Sequence, residues 1–145
     1  MENNSNQHNN KEPKKEDIIE LKDEEGNKIR DIKNIGNGNY LIHHYDKNGR
    51  RIRASIVNVE TGEEEYSDYE FNKNGEETLL KHYEDGMLRQ ELLIEYDDLN
   101  NPVKMTEKDY IYDENDNIKE TKIYTKEIQY EKDGTFKGFK YTDTN

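Results

Sequence analysis

The chain is 145 residues long, carries a formal net charge of −12 and is only 29% hydrophobic, which suits one domain with a small core. No run of 18 apolar residues occurs, so no membrane helix is encoded, and the lack of Cys excludes a disulfide scaffold, a thiolate zinc site and a Cys nucleophile. Ile, Leu, Val and Phe make up 27 of 145 residues, just under the share at which a highly charged chain reads as disordered, but eleven Tyr favour half-exposed sheets, where a ring is buried while its hydroxyl stays wet.

Residues 1–15 are Asn-rich, contain a Pro and lack aromatic residues, so they are expected to be a disordered polar tail. They also lack the apolar stretch of a secretory signal. The expectation is a chain that stays in the cytoplasm; a processed leader ahead of residue 1 would instead make it secreted or surface-anchored. From Asp17-Ile18-Ile19-Glu20-Leu21 onward a first strand is favoured over a weak helical signal. Nine clusters of turn residues then punctuate the chain: Glu24 to Asn27, Gly36 to Asn39, Asp46 to Gly49, Glu60 to Gly62, Asn72 to Gly75, Glu84 to Gly86, Asp97 to Pro102, Asp113 to Asn117 and Lys132 to Gly134. Asn-Gly and Asp-Gly accept the left-handed backbone of tight hairpin turns, and the gaps between them hold Tyr, Ile, Thr and Leu. The predicted fold is all-β: an antiparallel β-meander of consecutive hairpins over residues 16–145, a single domain behind the tail.

Alternation sharpens the reading of individual strands. Leu88, Leu92, Ile94 and Tyr96 share one parity, opposite Arg89, Glu91 and Glu95, which predicts one buried face there. Over Ile118 to Tyr130 the apolar positions fall on both parities among Lys, Glu and Thr. Such a strand suits a sheet thinly covered on both faces, with Lys and Glu stems lying over Tyr rings. The last residues, Thr142 to Asn145, are expected to fray.

The acidity is local. Residues 60–98 hold 3 basic and 14 acidic side chains. A negative surface repels nucleic acid, so no direct nucleic-acid contact is expected, and a basic protein partner is more natural. The candidate partner-binding residues are Glu63, Glu64, Glu65, Asp68, Glu76 and Glu77; the competing explanation for the same charge is solubility.

Tyr45-Asp46-Lys47-Asn48-Gly49-Arg50 and Tyr112-Asp113-Glu114-Asn115-Asp116-Asn117 resemble the tyrosine–aspartate repeats of RHS-type bacterial proteins, and Tyr83-Glu84-Asp85-Gly86-Met87-Leu88 resembles the repeat of bacterial MORN-variant antitoxins. The likeness covers residues 20–141 as a rhythm and these three hexapeptides as a motif. Asp116 stands where a tyrosine–aspartate repeat has Gly, and the Trp and paired Gly of standard MORN repeats are absent. The resemblance implies a small repeat protein that binds another protein, such as an immunity partner.

No catalytic constellation emerges. Asp113, Asn115 and Asn117 have the oxygen spacing that opens a calcium loop, but Ile118 and Tyr124 occupy its sixth and twelfth positions, so a hairpin turn is favoured and no metal or cofactor is expected. His43 and His44 point to opposite faces of a strand, and His82 precedes Tyr83 as His44 precedes Tyr45. Neither Ser55 nor Ser67 sits in a nucleophile elbow. The sequence points to a non-catalytic protein-binding module, in its specific form an immunity or antitoxin-like inhibitor whose acidic surface meets a basic toxin or nucleic-acid-handling enzyme. The alternative is a structural surface or lipoprotein-type β-repeat domain.

Overall fold

The computed structural model describes residues 18–144. Ten strands follow one another: β1 (Ile18–Lys22), β2 (Lys28–Gly36), β3 (Asn39–Tyr45), β4 (Arg51–Asn58), β5 (Glu64–Phe71), β6 (Glu77–Glu84), β7 (Met87–Tyr96), β8 (Pro102–Tyr112), β9 (Ile118–Tyr130) and β10 (Phe136–Thr144). Strand order follows chain order, the registered pairs are antiparallel, and there is no helix among the described residues. The expected all-β meander is the observed one, and each connection falls in one of the nine turn clusters. The tail at 1–15 lies outside the described residues. β10 continues to Thr144, with Thr142 opposite Thr125 and Thr144 opposite Ile123, so the ladder holds where fraying was expected.

By their contacts the residues form two compact units that divide within β5, one up to Tyr66 and one from Ser67 onward. In the first unit, Ile19, Ile32, Ile42 and Ser55 stand in one cross-strand row, and Asp31, His43 and Ala54 in another on the opposite face. Ser55, on β4, is 2% exposed and is the only fully buried residue among those described. In the second unit, Leu80, Leu92, Glu107 and Tyr124 form one row, and Ile94, Met105, Lys126 and Tyr141 form the next on the same face. Leu79, Leu93, Thr106, Thr125 and Thr142 line the other face. Apolar and charged residues thus share both faces. No hydrophobic side chain among those described is fully buried, and stability comes from cross-strand pairs in place of a packed interior.

One expectation about a face needs correction. The register shifts between His82 and Tyr83, which brings Leu88 opposite Tyr83 while Gln90 stays opposite His82. Tyr83 and His82 alternate, so the bulge turns Leu88 away from the row of Leu92, Ile94 and Tyr96. That row itself is half-buried.

Candidate functional site

The six acidic residues picked out from the sequence divide into two kinds. Glu63, Glu64 and Glu65 are exposed where the chain enters β5. Asp68 is half-buried within β5. Glu76 is also half-buried, and its Oε1 accepts a hydrogen bond from Asn100 Nδ2 at 3.0 Å. Glu77 begins β6, and its carbonyl accepts the Tyr96 hydroxyl at 2.6 Å. Glu76 and Glu77 therefore contribute to the hairpins themselves, and the wettest carboxylates are the run Glu63–Glu65.

The turns explain the tyrosine–aspartate rhythm in atomic terms. At Asp23, Asp46, Asn72, Asp97 and Asp113 the side-chain Oδ1 accepts amides two and four residues ahead, for example Asn48 and Arg50 on Asp46, each at 2.9 Å. Each such residue caps its own turn, which is why Asx and not Glu recurs there. These backbone amides hold the carboxyls of Asp23 and Asp97 below the usual range. The Asp113 carboxylate has the same role, capping a hairpin. Ahead of three turns a tyrosine ties the turn to the neighbouring strand: Tyr96 donates to Glu77 O, Tyr112 to Leu88 O at 2.7 Å and Tyr130 to Pro102 O at 2.7 Å. A ring lies across the sheet while its hydroxyl closes on a backbone carbonyl.

Three polar clusters went unrecognised in the sequence because each depends on cross-strand register. In the first unit, Asp31 accepts the Tyr45 hydroxyl at 2.7 Å, lies 3.0 Å from His43 Nδ1 and pairs with Lys28 Nζ at 3.5 Å. Partial burial works against its ionisation, but Tyr45, His43 and Lys28 outweigh that and hold its carboxyl below the ordinary value. In the second unit, Ser67 Oγ lies 2.9 Å from His82 Nδ1, and His82 Nε2 lies 3.3 Å from Glu84 Oε2. The order of groups is that of a hydrolytic relay. Ser67, however, lies within a strand and not on a sharp turn that would aim amides at a developing oxyanion.

The third cluster joins Gln90, Glu107 and Asp109. Gln90 Nε2 donates to Glu107 Oε2 and to Asp109 Oδ1, both at 3.1 Å. Burial, together with hydrogen bonding and repulsion from Asp109, raises the Glu107 carboxyl against the opposing pull of Gln90. On the opposite face, Tyr110 donates to Glu91, and this bond above all pushes the phenol up to about 12. Leu92, Met105, Tyr124 and Tyr141, with Glu107 and Lys126, line a shallow groove of about 380 Å³ open to solvent.

These features define an open antiparallel β-repeat, built from Asx-capped turns and tyrosine ties. No known protein family model matches the chain, and no curated protein matches it. Among solved structures it is similar to a chain of the Photorhabdus luminescens Tc holotoxin pore, with a TM-score of 0.64 and 16% identity over 87% of this chain. It spans 7% of that chain. The likeness is one of fold. No helix among the described residues is long and apolar enough to cross a membrane.

Proposed function

We propose that the chain is a non-catalytic protein-binding module that meets a basic partner through its acidic side. The observation that carries this reading is the exposed run Glu63-Glu64-Glu65 on a sheet that buries almost nothing. Clustered, exposed carboxylates raise the encounter rate with a positive partner. Glu76 and Glu77 act indirectly, by shaping the hairpin. The similarity to a toxin assembly supports a toxin-related setting, in which an inhibitor of a basic toxin or nucleic-acid-handling enzyme is the specific form. A structural repeat is the second reading, favoured by the small share of the similar chain that this one spans.

The test compares wild type with the triple variant Glu63→Gln, Glu64→Gln, Glu65→Gln as bait in lysate of the source cells at low and high salt. The reading expects a basic protein that is held by wild type at low salt, released at high salt and lost from the triple variant. Equal capture by both baits would remove the acidic-docking reading and leave the structural one.

A further inference from the structure

We propose that the two end strands are complementary, so that β10 of one copy pairs antiparallel with β1 of a second copy. Among the described residues, β1 pairs only with β2 and β10 only with β9, which leaves one side of each ladder open. Open ladders are templates for strand addition, and proteins usually blunt them. Here each end strand exposes large apolar side chains beside its charges: Ile19 is 55% exposed and Leu21 37%, Phe139 45% and Tyr141 72%. The rings of Phe139 and Tyr141 lie 6.0 Å apart along β10.

Charge and aromatic pairing together select a register, since Glu20 opposite Lys137 would keep an ion pair but set Ile19 against Gly138. With Glu20 opposite Lys140, Ile19 falls opposite Tyr141 and Leu21 opposite Phe139, so one face gains two aromatic–aliphatic pairs while on the other Lys140 joins Lys28, which already lies 3.6 Å from Glu20 Oε2 within its own chain, beside that carboxylate. A slip of two residues one way sets Lys22 against Lys140, and the other way leaves Glu20 opposite Gly138. A slip of one residue puts Glu20 on the aromatic face. The complementarity lies between the two edges of one sequence, and it therefore singles out a second copy as the occupant. The contact is heterologous and repeats head to tail, giving a concentration-dependent series of oligomers.

Sedimentation velocity on the full chain, from micromolar to about 1 mM, tests this with charge-swapped variants whose spectra confirm folding. Wild type is expected to associate with rising concentration. Glu20→Lys alone and Lys140→Glu alone should each weaken association by about fivefold or more, whereas the double swap, or an equimolar mixture of the two single variants, should restore it. A monomeric wild type across the range would overturn the proposal. So would a Glu20→Lys variant that associates as wild type does, since that would indicate β10 pairing with β10, and so would a double swap that fails to recover.

Discussion

Asp31 in the first unit and Glu107 in the second are half-buried carboxylates on thin sheets, yet their acidities move in opposite directions. Burial raises both. The difference lies in the cross-strand neighbours: a phenol, an imidazole and an ammonium around Asp31, against a second carboxylate and one amide around Glu107. Where no hydrophobic side chain among the described residues is fully buried, the register that decides which side chains meet counts for more than depth below the surface.

The largest expected effect comes from removing the hub of the first cluster. Asp31→Ala leaves the Tyr45 hydroxyl and His43 without their shared acceptor and should cost about 2 kcal/mol in urea unfolding. A loss below about 0.5 kcal/mol would show that water replaces the carboxylate freely and that the contrast with Glu107 has no energetic content. Leu92→Ala calibrates the apolar side of the same ledger. Being half-buried, Leu92 should contribute about 1–2 kcal/mol, short of the 2–5 kcal/mol of a fully buried Leu. If the loss reached that higher range, packing and not polar register would dominate.

The pH profile separates the two carboxylates by sign. Asp31, held below its ordinary value of 3.8, adds stability that is present above that value and is lost as pH falls through the lowered one. Glu107, held above its ordinary value of 4.5, adds stability that is present below that value and is lost as pH rises through the raised one. Glu107→Gln should therefore stabilise the protein at pH 7 by a few tenths to about 1 kcal/mol and match wild type once the carboxyl is protonated in acid. Denaturation curves at both pH values check this, and an equal gain at both would mean that charge is not the cause. The smallest effect is local. Asp116 holds a left-handed φ of 64° at the place where Asp46's turn uses Gly49. Asp116→Gly should raise stability by about 0.5 kcal/mol in the same assay, independent of either cluster. Destabilisation would mean that the Asp116 side chain has a role in the turn.

What could be read in advance follows the range of the forces involved. Turn positions were legible because an Asx cap and a left-handed Gly are specified within five residues, as Asp46 to Arg50 illustrates. The Leu92, Ile94 and Tyr96 face was legible because alternation is local. Leu88 was misplaced because a bulge leaves no mark in the strand that carries it. The Asp31, Ser67 and Gln90 clusters were hidden for a related reason. Each joins residues on different strands, and a register shift of one would have scattered them. Among the acidic residues, charge alone could not distinguish the wet Glu63 from Glu76, whose carboxylate closes on Asn100.

The tyrosine ties carry a consequence for how the chain comes apart and how it could change in length. Each reaches only the adjacent strand, from Tyr96 to Glu77, from Tyr112 to Leu88 and from Tyr130 to Pro102, so energetic coupling inside the second unit is passed along from one strand to the next. Such a chain behaves as a one-dimensional zipper: β10 can peel from β9 without disturbing β7, and amide exchange should quicken strand by strand toward the C-terminal edge. Evolution can lengthen or shorten a zipper of this kind by whole hairpins, because two strands restore both the direction of the chain and the side on which the next turn is capped.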